Sequence, residues 1–153
     1  ELGKWATIVL DSVTFFEIAA RKYAQYVLNP TTKEPRQWYN SSTESCEEML
    51  LVRLGSLPCN VVVCAHVDES RTNIHGETIR APQAPGRLRK TLASGYGELY
   101  HLFVRRTEEG KLERWLQTEA DEEWMASSQI DAPNPCEPRH KALWQTKPKP
   151  KEG

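Results

Sequence analysis

The chain lacks the long apolar runs, the charge imbalance and the cysteine spacing that mark several large protein classes. No run approaches the roughly 18 apolar residues of a membrane-spanning helix, and the first residues do not resemble a secretory signal. Lys and Arg number 20 against 21 Asp and Glu, so no global field requires nucleic acid or a membrane as partner. The four cysteines show no CxxC spacing, which argues against structural zinc. We expect a soluble cytoplasmic protein without a membrane partner.

Several catalytic motifs are absent as well. The sequence contains no G-x-S-x-G elbow and no H-E-x-x-H pair, which leaves little support for a hydrolase-like enzyme or a zinc enzyme. It also contains no G-x-x-x-x-G-K-[ST], the glycine-rich turn that cradles nucleotide phosphates. The chain begins with Glu1 and enters a predicted strand within a few residues, so we expect a trimmed or partial domain.

The first half of the chain alternates strand and helix patterns. A buried strand is predicted over residues 5–10, and SVTFFEIAARKYAQYVL has the spacing of an amphipathic helix. Residues 29–42 are predicted to form a loop, and EEMLLVRLGSL a second helix. NVVVCAHV, residues 60–67, is the kind of apolar run expected for a strand covered on both faces. This order predicts a crossover between parallel strands.

The second half is more polar. Residues 68–86 are predicted to form a mobile loop or a protruding hairpin, and GRLRKTLASG a short helix. GELYHLFVRR and KLERWLQTE, separated by TEEG, predict a β-hairpin with a glycine-containing turn. The segment from Glu119 onward is expected to be irregular, and the closing KPKPKEG to be a solvated tail.

An acid and a hydroxyl, Asp11 and Ser12, directly follow the first predicted strand. One interpretation is mechanical, because either side chain can cap the next helix, and Thr14 with Glu17 forms an S/T-x-x-E capping pattern. The other interpretation is chemical. Ligands of open parallel sheets gather beyond the carboxyl ends of the strands, where a carboxylate can hold Mg²⁺ through water while the metal bridges nucleotide phosphates. The residues themselves leave both interpretations open.

The order of the motifs is similar to that of a known family. IVLDSVT is followed by a long helical segment, LPCNVVVCAHVDE, a polar loop and a hairpin ending in WLQTE. Together these motifs resemble the later part of the phage-type RecA-like ATPases, which belong to the P-loop family. The resemblance covers residues 5–144 and implies a partial RecA-like α/β fold, a mostly parallel sheet flanked by helices with a carboxyl-terminal β-hairpin. A single domain over 1–144 and a flexible basic tail over 145–153 are expected.

The resemblance also implies a nucleotide site with Mg²⁺ and ATP. Asp11 takes the Walker B position that holds Mg²⁺ through water, Ser12 is its neighbour at the nucleotide, and His66 takes the strand-end position that senses the terminal phosphate. Without the family, His66 is more simply a strand-end histidine bonded to a loop. A metal site built from Cys64 and His66 is a weaker alternative because two further ligands are not evident.

The resemblance places a single-stranded DNA contact in the polar segment after His66. Backbone phosphates would be neutralised by a cluster of basic residues, with an affinity that falls steeply with salt. Ordinary solvated charges are the competing interpretation. No aromatic residue lies between Val67 and Ser94, so such binding would not depend on base stacking there. The candidate residues are Arg71, His75, Arg80, Arg87, Arg89 and Lys90.

Two departures from the family pattern define the alternatives. The glycine-rich phosphate loop is expected upstream of Glu1, so this chain cannot be a self-sufficient ATPase. Where the family commonly carries a basic K-x-R pair, the chain has Ser127 and Gln129. The leading hypothesis is therefore that the chain is part of a RecA-like ATPase of phage-type DNA recombination or replication. If the protein is viral, it would act in the host cytoplasm. The alternative is a degenerate, non-catalytic RecA-like module for assembly or DNA contact. Exposed edges of an incomplete parallel sheet also predict a homo-oligomer.

Overall fold

The described part of the protein divides into two compact units. The computed structural model describes residues 6–72, 78–139 and 142–143, and all of their side chains except those of 69–72, 78, 79 and 90. Unit 1 comprises Glu1–Asp68 and Pro82–Gly95, and unit 2 comprises Glu69–Ala81 and Tyr96–Gly153. This division does not test whether each unit folds independently, so the single domain expected over 1–144 stays a prediction. The tail expected over 145–153 lies outside the described residues.

The strands of unit 1 form a parallel pair. β1 (Thr7–Asp11) and β2 (Asn60–Cys64) are in register from Thr7 opposite Asn60 to Asp11 opposite Cys64, which confirms the predicted parallel pairing. The expectation that the second strand is covered on both faces is wrong here. Val9 is 61% exposed and its register partner Val62 is 42% exposed, because burial alternates along both strands. One face of the pair is therefore open.

Two long helical segments connect these strands. α1 (Val13–Tyr23) continues into a wider π-helical turn at Ala24–Leu28, and α2 (Pro35–Glu47) continues into another at Glu48–Arg53. The loop predicted over 29–42 is wrong from Pro35 onward. Proline fixes its own backbone angle and has no N–H to leave unpaired, so it suits the first helical position and begins α2 there. The buried apolar side chains of these helical segments are those of Val13, Ala24, Cys46 and Leu50, and the buried polar ones in α2 are those of Ser42 and Thr43.

Two short strands and a third helix follow β2 in the chain. β3 (Val67–Thr72) pairs with β4 (Thr78–Pro82), so the hairpin alternative for residues 68–86 holds over these strands, while residues 73–77 lie outside the described part. α3 (Leu88–Gly95) confirms the predicted short helix. Its Leu88 and Leu92 are buried.

Unit 2 is built around the predicted β-hairpin. β5 (His101–Arg106) and β6 (Leu112–Gln117) pair antiparallel, with His101 opposite Gln117 and Arg106 opposite Leu112. Gly110 closes the turn with a φ of 82°, a left-handed angle that glycine adopts without steric cost. The segment after Glu119 adds isolated bridges, and its Ala132 and Cys136 form a small core with Leu143.

The RecA-like fold class stays a prediction. The described residues form a mixed α/β arrangement in which each of the three sheets has two strands. No helix in this part of the chain is long and apolar enough to cross a membrane.

Candidate metal and nucleotide site

Asp11 lies at the carboxyl end of β1, where the parallel pair ends. Its register partner on β2 is Cys64, and the Asp11 side chain is exposed. The peptide bond between Asp11 and Ser12 is cis. Carboxyl ends of parallel strands meet at one edge of a sheet, which is where open α/β sheets bind ligands. The backbone therefore presents a free carboxylate at the edge that the sequence indicated.

Two buried hydroxyls lie beside this carboxylate along the chain. Ser12 occupies the N-cap position of α1, yet its side chain makes no capping hydrogen bond; its backbone carbonyl accepts from the Phe16 amide at 3.0 Å. Thr14 lies inside the helix, which begins at Val13, so the predicted capping pattern with Glu17 does not form. The Oγ atom of Ser12 and the Oγ1 atom of Thr14 are both buried, and neither has a hydrogen-bond partner among the described residues. An unpaired buried hydroxyl costs about 1–3 kcal/mol of stability. Because neither hydroxyl makes a capping hydrogen bond, helix capping does not offset this cost.

Cys64 and His66 complete this edge. Burial raises the pKa of the Cys64 thiol above its ordinary value of 9.0, and the nearby Asp11 charge raises it further, so the thiol is protonated at neutral pH. His66 follows β2 by two residues and is exposed, with its ring set edge-on to Phe15 at a centroid distance of 5.9 Å. The His66 carbonyl accepts a hydrogen bond from the Gln83 amide at 2.7 Å. The imidazole itself therefore faces solvent close to the strand ends.

The donor set at this edge suits Mg²⁺ held mainly through water. In the part of the chain that the structure describes, no group of three or more His, Cys, Asp or Glu side chains could hold a metal ion. Mg²⁺ commonly uses one or two carboxylates and takes its remaining ligands from water and substrate phosphates, so the exposed Asp11 fits that role. A glycine-rich cradle for the phosphates has no counterpart in the sequence. This edge therefore presents the exposed carboxylate of Asp11, and the predicted Mg²⁺ and nucleotide site stays a prediction.

The predicted DNA-contacting arginines of unit 1 are engaged in ion pairs. Arg87 donates to both carboxylate oxygens of Glu47, from Nε at 2.7 Å and from Nη2 at 2.6 Å. The hydrogen bond to Glu47 raises the pKa of Arg87. Arg89 donates from Nη1 to Asp68 Oδ2 at 2.6 Å. Both arginines attach α3 to neighbouring elements of unit 1, and a phosphate would have to replace these carboxylates.

The remaining predicted DNA contacts are Arg71, His75, Arg80 and Lys90. Arg80 is in unit 2, with Nη1 at 3.8 Å from Glu123 Oε2 and its guanidinium over the Trp124 ring at 4.7 Å. The side chains of Arg71 and Lys90 and the whole of His75 lie outside the described part of the structure. The structure therefore does not assemble the predicted basic cluster as one described surface.

Unit 2 contains an aromatic stack that the sequence patterns did not reveal. The His101 ring lies on Trp124 with a centroid distance of 3.4 Å and an interplanar angle of 11°, and Phe103 lies 5.7 Å from His101. Alternation along β5 could have placed His101 and Phe103 on one face. Trp124 comes from the irregular segment after Glu119, and no periodicity predicts its position there.

The residues at the K-x-R position make contacts within unit 2. Ser127 pairs through its backbone with Leu99, with hydrogen bonds of 2.8 and 2.9 Å. The Gln129 amide donates to Glu98 Oε1 at 3.0 Å. Neither side chain carries the positive charge that a contact with a neighbouring subunit's nucleotide would need.

No known protein family, curated protein or solved structure matches this sequence. The functional assignment therefore depends on the order of the motifs and on the geometry of the strand ends.

Proposed function

We propose that the chain carries the Walker B portion of a RecA-like ATP-binding protein that acts in phage-type DNA recombination or replication in the cytoplasm. The observation that carries the proposal is the exposed carboxylate of Asp11 at the end of a parallel strand pair. His66 follows the neighbouring strand, and the Ser12 hydroxyl is buried without a partner. Asp11 is the residue that would hold Mg²⁺, and the metal would supply positive charge to neutralise nucleotide phosphates.

Each residue at this edge has a role that its chemistry allows. Asp11 would hold a Mg²⁺ ion through water. His66, exposed beyond the next strand, donates a hydrogen bond to the terminal phosphate. Ser12 supports the turn between strand and helix next to the nucleotide. Contact with single-stranded DNA through Arg71, Arg80, Arg87, Arg89 and Lys90, and assembly into a homo-oligomer, complete the proposal.

The alternative is a degenerate RecA-like module that assembles or contacts single-stranded DNA without hydrolysing ATP. Two observations favour it. The sequence has no G-x-x-x-x-G-K-[ST], and uncharged Ser127 and Gln129 stand where the family commonly has a basic pair. On this alternative the Asp11 edge is a remnant of the fold and binds no nucleotide.

Binding of a fluorescent ATP analogue, with and without Mg²⁺, separates the two functions. The wild-type chain should show saturable binding that needs Mg²⁺, and Asp11→Ala should weaken it by about tenfold or more, equivalent to about 1.4 kcal/mol. Asp131→Ala removes an exposed aspartate of unit 2 and should bind as the wild type does. Equal binding by wild type and Asp11→Ala would contradict the metal role. No binding by any variant would favour the degenerate module.

A further inference from the structure

Four aromatic side chains of unit 2 form a cluster in which a guanidinium lies over each tryptophan. This cluster, called the aromatic row, consists of Trp124, His101, Phe103 and Trp115, all partly exposed. Arg80 lies over Trp124 at 4.7 Å, and Arg105 lies over Trp115 at 4.5 Å. Trp124, His101 and Phe103 follow one another, and Trp115 lies across from Phe103 on β6.

The strand geometry explains how the row forms. Side chains two residues apart on a strand share a face, so His101, Phe103 and Arg105 lie on one face of β5. Trp115 is the register partner of Phe103 on β6 and shares that face.

Trp124 is held in place by the backbone around it. Its amide donates to Asp121 Oδ1 at 2.7 Å, and the amide of Arg80 donates to the Glu123 carbonyl at 2.7 Å. Arg80 and Trp124 are also partners in an isolated parallel bridge. The first cation and its ring are therefore positioned by main-chain bonds, and a ligand would meet a surface that is already formed.

We propose that the aromatic row is a stacking surface for the bases of single-stranded DNA, with Arg80 and Arg105 holding backbone phosphates. The site rests on the single-stranded DNA contact proposed above and gives it a location in unit 2. Aromatic rings accept any base on their faces, and a guanidinium near a ring can donate its N–H groups to a phosphate. Binding is therefore tolerant of sequence.

The two cations of the aromatic row can exchange partners when DNA arrives. Base stacking on an indole is generally stronger than an exposed cation–π contact, so a base can replace the Arg80 guanidinium on Trp124. Arg80 is 40% exposed and only 3.8 Å from Glu123, a weak pair that a phosphate can displace. Glu113, opposite Arg105, is also 3.9 Å from Lys111. The carboxylates of Glu123 and Glu113 therefore lower the affinity of the site for phosphate but leave both guanidinium groups available to a phosphate.

The number of phosphate contacts sets the salt dependence. Two phosphate contacts give a slope of log K against log salt of about −1.4 for a single strand. A cluster of five basic residues would give about −3.5 by the same relation. The slope therefore distinguishes the aromatic row from a binding mode that depends on charge alone.

The test is fluorescence anisotropy of a labelled oligothymidylate of about 12 nucleotides, a length within the site sizes of single-strand-binding folds. Trp124→Leu should weaken binding about tenfold, while Trp124→Phe, which keeps a ring, should lose less than about threefold. Arg80→Gln should also weaken binding, and reduce the salt slope by about 0.7. The matched control is Arg53→Gln in unit 1, an arginine that is 66% exposed and 3.2 Å from Glu48, and it should bind as the wild type does.

The outcomes are separable. Weaker binding by Trp124→Leu and Arg80→Gln, with the far-ultraviolet circular dichroism of the wild type, supports the site. If Trp124→Leu fails to fold, Arg80→Gln and the salt slope decide. No binding by the wild-type chain, or equal loss in Arg53→Gln, overturns it. A third outcome is that Arg71→Gln and Lys90→Gln weaken binding while Trp124→Leu and Arg80→Gln do not. This result would overturn the aromatic row as the site and retain the proposed DNA contact. The anisotropy assay contains no ATP, so failure of the ATP site is recognised separately in the assay with the ATP analogue.

Discussion

His101 combines burial, stacking and titration in one side chain. Burial is the largest influence and lowers its pKa below the ordinary value of 6.5. The hydrogen bond from its Nδ1 to Gln117 Oε1 and the charge of Asp121 raise the pKa, while Arg80 lowers it. At neutral pH the ring is therefore uncharged and stacks on Trp124 as a neutral imidazole.

This lowered pKa predicts that unit 2 loses stability in acid. A histidine that is harder to protonate in the folded state than in the unfolded state contributes stability above pH 6.5, and that contribution is lost as the pH falls below this value. The urea midpoint of the chain, followed by tryptophan fluorescence, should fall between about pH 7.5 and about pH 5. His101→Gln should reduce this fall. An unchanged fall in His101→Gln would contradict the assignment.

Among the elements, α3 shows why basic residues near a predicted DNA-binding segment need a structural explanation first. Arg89 is 15% exposed and donates to Asp68 at 2.6 Å, while Arg87 makes a bidentate pair with Glu47. Both pairs join residues far apart in the sequence and fix α3 within unit 1. No spacing rule relates Arg89 to Asp68, so the sequence could indicate the charges but not their partners.

Loss of Arg89 should therefore affect folding of unit 1. Arg89→Ala removes a partly buried, charge-assisted hydrogen bond and should lower the free energy of unfolding by about 1–2 kcal/mol. Arg53→Ala, at an exposed pair, should change it by less than about 0.5 kcal/mol. Urea unfolding measures both values. If the two substitutions cost the same, α3 does not depend on the pair with Asp68.

The elements also show what the sequence could predict. Hydrophobic runs and glycine-containing turns predicted β1, β2 and the β5–β6 hairpin, because these depend on local pattern and on strand pairing. α2 was missed from Pro35 onward because PRQWYNSSTESCE is polar. Its hydroxyls bond back to carbonyls within the helix, as Ser42 and Thr43 do to Tyr39, and its apolar contribution is small.

The candidate sites were predictable to different degrees. Asp11 and His66 follow apolar strands, so strand polarity alone brings them to one edge of the sheet. The stack of Arg80, His101 and Trp124 joins three separate segments of unit 2, and only the folded backbone brings these together. The unpaired hydroxyl of Ser12 likewise has no sequence signature, since serine at this position normally caps a helix.

At the scale of the whole molecule, the open strand pair of unit 1 predicts self-association. Val9 and Val62 are exposed register partners, and in the described part of the chain β1 and β2 pair only with each other. Parallel sheets are normally covered on both faces, and unpaired edges invite pairing with another chain.

Sedimentation velocity should show association that increases with protein concentration. Val62→Lys should weaken it by about tenfold or more, because a charge would have to be desolvated in the shared surface. Val104→Lys, at an exposed position of the unit 2 hairpin, is the matched control and should associate as the wild type does. A stable monomer at high concentration would argue against a shared sheet.

The most direct test of the central claim is paramagnetic broadening by Mn²⁺, which replaces Mg²⁺ at oxygen sites, in the presence of ATP. If Asp11 fixes the metal at the end of the parallel strands, the backbone amide resonances of residues 11–14 and 64–66 should broaden first, those of β5 should not, and Asp11→Ala should abolish the effect. Broadening that is uniform over the chain, or that persists in Asp11→Ala, would contradict the account.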